Sequence, residues 1–600
     1  LTDIRNPGEP TARDARPLLG FRVGVLAPWF PVEEPALLTG SVVRVLDDIS
    51  HCLHDLGGQP AARNLYGNFT PVMRLVSRLN EGPECLVAQA ALARHWRLAA
   101  ALPTAPTEAV PDTHHHQTLL PALLAACGRE VVELDGDSQA PETALALAGR
   151  FVLRHSDVII AITDGGHKDI RDLLIEAHEL GIPVITVGTQ PPHAVCHAHP
   201  DAPDVGYQRG DLVEMIRRAV LPTWKNDKRN HQRAAEIHFL SEAVRETGTA
   251  PDFLWQGPFA APPSVIGWVY PTLNALLSPR LPPAERRETP PPIGTDVPAA
   301  RTCYLHFQRA DALATHYAAV HRSGFVLLYL CGSLSLAAAF SAQFMHELWP
   351  DGSRFGKGFT VFEVVMLLTM WGLYATDRNG RWRERWLDYR TLAELLRQAD
   401  LLVQIGYPPL TGCLNRLAEE HPERGWVPWV VAAIIRSVGV AGGRQDDAFL
   451  QRVLAYTVDT RLADQLAYHK RTEARNGVVS KRLRAANFAL FFAAVGVVAL
   501  ELIWPEPWDI PVPGLLAGVL PAFGAASFGI RNQAEFEIVV GRSERLHELL
   551  TAGSQRIARL AKSSLNSTLL GSTIQHSVRL MQHDAVEWAA IFEVKETEPG

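Results

Sequence analysis

The 600-residue chain has only seven cysteines, Cys52, Cys85, Cys127, Cys196, Cys303, Cys331 and Cys413, with no CxxC among them. That scatter excludes a zinc ribbon, provides no disulfide framework and suits a reducing compartment. Positive charge is not in excess. The 57 Lys and Arg against 64 Asp and Glu leave a net charge of −7, which argues against a nucleic-acid partner. There is no Walker A motif and no complete GxGxxG, so ATP-driven transport is not indicated; no GxSxG marks a serine nucleophile. The first twenty residues are polar and contain proline instead of an apolar leader, so the N-terminal part is expected to stay on the side of synthesis. His114, His115 and His116, and Cys196, His197 and His199, lie in proline-rich surroundings without a matching ligand pair, and no metal site is assigned to them. No catalytic residue and no firm cofactor follows from these patterns.

What the chain does have is four apolar runs in its second half: Gly324 to Phe344, Phe359 to Ala375, Ala486 to Trp504 and Pro513 to Ile530. Each is long enough, at about 1.5 Å per helical residue, to cross a hydrocarbon core of roughly 30 Å. A mean hydropathy of zero conceals them by averaging a polar half with an apolar one. Positive residues near the spans set their orientation. Arg309 and Arg322 precede the first, Arg378, Arg381, Arg383, Arg385 and Arg390 follow the second, Lys481, Arg482 and Arg484 precede the third, and Arg531, Arg542 and Arg545 follow the fourth. The connection after the first span carries only Arg354 and Lys357, and Trp504 to Asp509 carries no positive charge. The expectation is two hairpins in a bacterial inner membrane, with both termini and the segment from Asp377 to Arg484 cytoplasmic. Trp349, Trp504 and Trp508 take interfacial positions. Glu363 and Glu501 are the carboxylates within the apolar runs. They read either as a ring at a pore mouth or as side chains reaching the outer headgroups, and their nearness to span ends favours the second.

The first half alternates strand and helix. Strands are expected at Arg22 to Ala27, Met73 to Leu79, Arg97 to Leu102, Glu130 to Leu134, Asp157 to Thr163 and Ile182 to Val187. Helices fall at Leu37 to Leu56, from Pro83, His116 to Ala126, Pro141 to Arg154 and Asp169 to Leu180. This order predicts a Rossmann-like parallel sheet with helices on both faces and a ligand at the carboxyl ends of the strands. Two strand-to-helix turns have the composition of a phosphate cradle. One contains Glu81, Gly82 and Pro83; the other contains Asp164, Gly165, Gly166, Lys168 and Asp169. Glycine permits close backbone approach, the helix start offers free N–H groups, and Lys168 adds charge. Asp157 is a further candidate contact, equally readable as a turn residue.

Residues 20 to 190 resemble the SLOG group of Rossmann-like domains, related to the DprA and LOG proteins. The resemblance rests on Val76 to Ala88, Leu98 to Pro103 and Ser156 to Ile185. LOG enzymes carry PGGxGTxxE at the second turn. Gly165 and Gly166 match it, whereas Asp164, Lys168, Asp169 and Asp172 replace the proline, later glycine, threonine and glutamate. The resemblance therefore implies binding of a nucleotide-derived ligand more than LOG-type hydrolysis. The membrane half is similar to the SLATT type of two-helix effector. That similarity rests on Ala310 to Ala314, Tyr317, His321 and Arg322, on Arg383 to Leu395, and on Arg531 to Glu537. It implies pore formation by a homo-oligomer in bacterial conflict. The segment around Trp386 and Tyr389 reads as an arginine-rich helix packed on headgroups or on a neighbouring subunit.

The expected organisation is an α/β domain over 1–278, a proline-rich linker over 279–299, a first hairpin with flanking helices over 300–400, a cytosolic helical segment over 401–485, and a second hairpin with a final helix over 486–600. Val265 to Leu277 is expected to be a buried helix. After the fourth span, Ile538, Leu546, Leu549 and Leu550 are expected on one helical face. Three functions stand: a nucleotide-gated membrane pore, a membrane-anchored hydrolase of a nucleotide or NAD glycosidic bond using Asp169 and Asp172, and a structural scaffold whose cleft has degenerated.

Overall fold

The computed structural model describes residues 16–30, 34–68, 70–104, 114–197, 205–222, 237, 245–246, 259–260, 264–279, 298–348, 353–409, 414, 425–503, 512–560 and 565–593. The N-terminal half is an α/β body. In chain order it contains β1 (Gly20–Leu26), α1 (Pro35–Gly58), α2 (Pro60–Leu65), β2 (Val72–Ser77), α3 (Pro83–Leu92), β3 (Arg97–Leu102), α4 (His114–Cys127), β4 (Val131–Glu133), α5 (Pro141–Arg154), β5 (Val158–Ile162), α6 (Lys168–Glu179) and β6 (Val184–Val187). The expected strands are all present. Beyond them lie β7 (Val195–His197), β8 (Val205–Gly206) and α7 (Arg209–Val220), then a small antiparallel pair, β9 (Arg245–Glu246) and β10 (Phe259–Ala260).

The helical half follows: α8 (Val269–Leu277), α9 (Pro298–Leu348), α10 (Ser353–Gly380), α11 (Trp382–Gln404), α12 (Trp426–Ser437), the short strand β11 (Gly443–Arg444), α13 (Asp447–Ala455), a π-helical stretch over Tyr456–Leu462, α14 (Ala463–Ile503), α15 (Val512–Gln533), α16 (Phe536–Leu560) and α17 (Ser567–Glu593). The main sheet has nine strands in the order β11-β4-β3-β2-β1-β5-β6-β7-β8. Pairing is parallel from β11 to β6 and antiparallel for β7 and β8.

Side-chain alternation along β1 divides the core. Phe21, Val23 and Val25 face α1 and α12, while Leu26 joins the apolar side chains of α5 and α6 on the other face. The segment 401–485, expected to be a helical block of its own, is therefore divided. Residues 426–444 return to the α/β body, covering one face with α12 and adding β11 to the sheet edge. Gly442 permits this docking, because a Cβ there would lie 1.9 Å from the Arg129 carbonyl oxygen. Arg74, 1% exposed, holds the same segment. It lies 2.7 Å from Glu130 and donates to the Val438 carbonyl at 3.2 Å. Glu130 in turn accepts from the Val440 N–H at 3.3 Å.

Among the described residues, four helices are long and apolar enough to cross a membrane, by length and composition. They lie within Thr302–Leu348, Arg354–Gln404, Asp447–Ile503 and Val512–Leu560. In the second, no residue of the apolar window is buried. α9 is one 51-residue rod, about 75 Å long at 1.5 Å per residue. Its first half supplies Cys303, Ala310, Leu313 and Tyr317 to the core shared with the sheet. Its second half is apolar and packs along α10 and α15. Gly518 admits the Phe340 ring and Gly529 the Tyr329 ring.

Three further sequence expectations change. The helix around Trp386 and Tyr389 does not lie on headgroups. It is α11, buried from Trp386 to Gln404 among α9, α12 and α17. Its many apolar side chains exceed one face, which requires enclosure. The segment Val265 to Leu277 is not a buried helix: Tyr270 is buried, but Val265 is 91%, Trp268 61% and Leu276 74% exposed. A helix this short shields one side chain per turn and leaves the rest outside. On α16, Leu546, Leu550 and Ile557 face inward, whereas Ile538 and Leu549 lie outside, because five apolar positions span more than one face. The linker lies almost wholly outside the described residues, as do Trp349, Trp504, Trp508 and His199.

Two buried ionisable groups, Arg74 and His155, can be tested directly. Glu130→Ala leaves Arg74 buried without its carboxylate, and is expected to lower the unfolding free energy of the chain by about 3 kcal/mol. His155, stacked on Phe151 at 4.0 Å, is driven by burial down to about 3. The unfolded imidazole titrates near 6.5, so this residue stabilises the fold fully above that pH and progressively less as pH falls toward 3. His155→Gln should flatten the acid side of the stability profile by at most about 1.4 kcal/mol per pH unit, measured by denaturant unfolding.

Candidate functional site

The chain runs from β1 through β2 and β3 to β4 on one side of the sheet, then crosses back to β5 on the other side of β1. This reversal is the switch point of the sheet, and in sheets of this kind ligands bind beside it, here at the carboxyl ends of β1 and β5. The two glycine turns follow β2 and β5, the two neighbours of β1. They are thus separated by two strand spacings, about 10 Å, with the Ala27 to Phe30 loop between them.

The first turn is already filled by the chain itself. Glu84, two residues past Gly82 in the first turn of α3, is fully buried. Its carboxylate accepts from the Ala27 N–H at 3.1 Å, the Asn80 N–H at 3.3 Å and the Ser77 hydroxyl at 3.0 Å. Arg78 donates to it through Nε at 2.9 Å and through Nη2 at 2.6 Å, and also to the Ala27 carbonyl at 2.7 Å. The anion at this turn is the chain's own carboxylate, held by Arg78, a hydroxyl and N–H groups that lie outside α3. Gly82 has φ of +91°, and the Phe30 carbonyl lies 3.2 Å from where its Cβ would be. This glycine therefore serves a close approach by the chain's own loop. Pro83 is buried and Glu81 half-buried. Burial pushes the Cys85 thiol up to about 12, leaving it inert as a nucleophile.

The second turn is open. Asp164, Gly165, Gly166, Lys168 and Asp169 are all exposed, and the space beside Gly165 is empty to 4 Å. Two of its N–H groups bond within the loop: Gly165 to the Thr163 hydroxyl at 3.0 Å and Gly166 to Asp164 at 2.9 Å. The Gly166 N–H holds the Asp164 carboxyl below its ordinary value, so a negative charge stands at the rim. Lys168 and the start of α6 oppose it. Asp169 and Asp172 are exposed on α6.

Asp157 is not at this edge. It precedes β5, at the opposite end of the strand, where it receives Arg22 Nη2 at 3.1 Å and the Arg22 N–H at 3.0 Å. Glu363 is half-buried on α10 and Glu501 is exposed on α14. Among the described residues no three His, Cys, Asp or Glu side chains group to hold a metal. No family model matches the chain. No curated protein and no solved structure matches it either.

Sequence reasoning missed Glu84 and Arg78. The signal was present as Arg78-Leu79-Asn80-Glu81-Gly82-Pro83-Glu84, an acidic residue in the first helical turn with an arginine six residues before it. Gly82→Ala places a side chain in a backbone region that glycine occupies and is expected to destabilise the α/β body by roughly 1–3 kcal/mol. Limited proteolysis at the 27–30 loop and a melting curve would register it.

Proposed function

We propose that the chain is a ligand-gated membrane effector in which a SLOG-like nucleotide sensor controls a pore. The four apolar helices form two hairpins in a bacterial inner membrane, with both termini in the cytoplasm. Their outward faces carry Leu368, Trp371, Phe492, Leu502 and Ile503, all exposed, a belt whose natural solvent is lipid. The exposed Val265, Trp268 and Leu276 belong to the segment that Tyr270 ties to Ser323, where α9 turns apolar, and they lie in the inner headgroup layer. Four spans enclose too little space for a water-filled path, so the pore is built by a homo-oligomer, in the setting of antiphage defence to which the resemblance points. A nucleotide-like molecule at the open Gly165–Gly166 turn is the trigger.

The observation that carries this reading is the return of residues 426–444 to the sheet. The α/β body and the long helices share one apolar core through α12, α11 and the first half of α9. A displacement at the sheet reaches the long helices through that shared core. Reconstitution of the full chain in liposomes tests the reading. Ion flux is expected on addition of nucleotides without their turnover, and Gly166→Asp should abolish the response. Nucleotide hydrolysis without flux would replace the pore with the hydrolase.

A further inference from the structure

A second candidate site lies far from the glycine turns, where the cytosolic stretches of the long helices meet. A cavity of 490 Å³ opens there between α9, α11, the π-helical stretch, α14 and α17. It adjoins a smaller one of 120 Å³ between α11, α14 and α16. The two share Arg390, Glu394, Gln465, Tyr468 and Met581. Small-molecule sites typically measure roughly 300–1,000 Å³, and the larger chamber falls in that range.

The chambers differ in chemistry. The larger is lined by the rings of Tyr304, Phe307 and Tyr468 together with hydrogen-bonding groups. Its arginines are paired. Arg390 contacts Asp311 at 3.3 Å and Glu394 at 2.6 Å; Arg397 contacts Glu394 at 3.2 Å; Arg461 is bonded to Asp400. Beyond the paired Arg390, the smaller is lined by Arg322, Arg475 and Arg542, and Arg322 lies over the rings of Tyr270 and Trp386. Arginines therefore gather at one end, with aromatic and amide groups at the other.

Polar atoms in these walls lack partners. Gln398 is 5% exposed and lines the larger chamber, yet its Oε1 accepts no hydrogen bond. The Nε atoms of Arg461 and Arg475 are likewise buried without an acceptor. Buried polar atoms are rarely left so, because each forfeits the hydrogen bond it had with water. The π-helical stretch that supplies Arg461 is a conformation frequent at functional sites. The local potential registers on Tyr468, whose phenol is drawn below its ordinary value by Arg390 against the effect of burial.

We propose that this double cavity binds a nucleotide, with the base between the aromatic side chains and Gln398 and the phosphates among Arg322, Arg475 and Arg542. The mixed polar and aromatic lining of the larger chamber suits a heteroaromatic base better than an acyl chain, and the arginine forks suit phosphate oxygens. The walls belong to α9 and α14, which continue into the apolar helices, and to α11 and α17, which pack toward the α/β body. Occupancy therefore acts on the relative position of those helices. The assignment is independent of the glycine turns.

Photolabelling of the full-length chain in detergent with 8-azido-ATP, followed by peptide mapping, tests it. Saturable labelling is expected on peptides containing Tyr304, Phe307 or Tyr468, displaced by ATP. Gln398→Leu and Arg475→Met should each weaken labelling about tenfold, the worth of one good hydrogen bond to a charged or buried partner. Gln398→Leu should at the same time raise the melting temperature of the unliganded chain, which a purely structural glutamine would not do. Absence of saturable labelling overturns the proposal, as does full labelling of both variants. Displacement by phosphatidic acid but not by ATP overturns it in favour of a lipid phosphate. Labelling confined to residues 163–169 overturns it while leaving the proposed sensor at the sheet edge standing.

Discussion

Arg74 is the point on which the architecture turns. Its guanidinium is buried at the second strand of the sheet and reaches both Glu130 and the carbonyl of Val438. A charge in that position is tolerable only with its partners in place. Those partners hold the chain after it has passed through two long apolar helices and come back. Once residues 438–440 are fixed, α12 lies over β1, β11 completes the sheet edge, and α11 is enclosed between the body and the bundle. A second tie closes the other end, where the Ser567 N–H donates to Asp135 at 2.6 Å, joining the start of the last helix to the loop after β4.

This wiring bears on how a signal would travel. Two modules joined by a proline-rich linker would move independently. Here α9 carries core residues at one end and an apolar face at the other without a break in the helix. Packed interiors respond to displacement by shifting rigid elements, since they have little free volume to absorb strain. Both candidate ligand sites touch this continuous structure, one at the sheet and one among the helices that leave it.

The glycine turns show the limit of motif reasoning. Gly82 and Gly165 both adopt the positive φ that their turns require, so the sequence was a sound guide to backbone shape. It was a poor guide to vacancy. At the first turn Glu84 takes the Asn80 N–H together with the Ala27 N–H, the Ser77 hydroxyl and Arg78, and whether an N–H faces a ligand or a side chain depends on where that carboxylate points. The arginine-lined cavity left even less trace, since its lining is drawn from Tyr304 to Met581 and the residues within each helix look like ordinary amphipathic surface.

The alternating strands, their helices and the four apolar runs were determined by the sequence, because burial on a sheet or on a helix face, and the sustained apolarity of a long run, write a short-range pattern into the residues concerned. The tertiary structure alone decided which side chains fill the first turn, which arginines are paired, and that residues 426–444 belong to the sheet. Those outcomes depend on charges and hydrogen-bonding groups brought together from hundreds of residues apart, and the stability of a buried charge is a property of its neighbours, which no local pattern records.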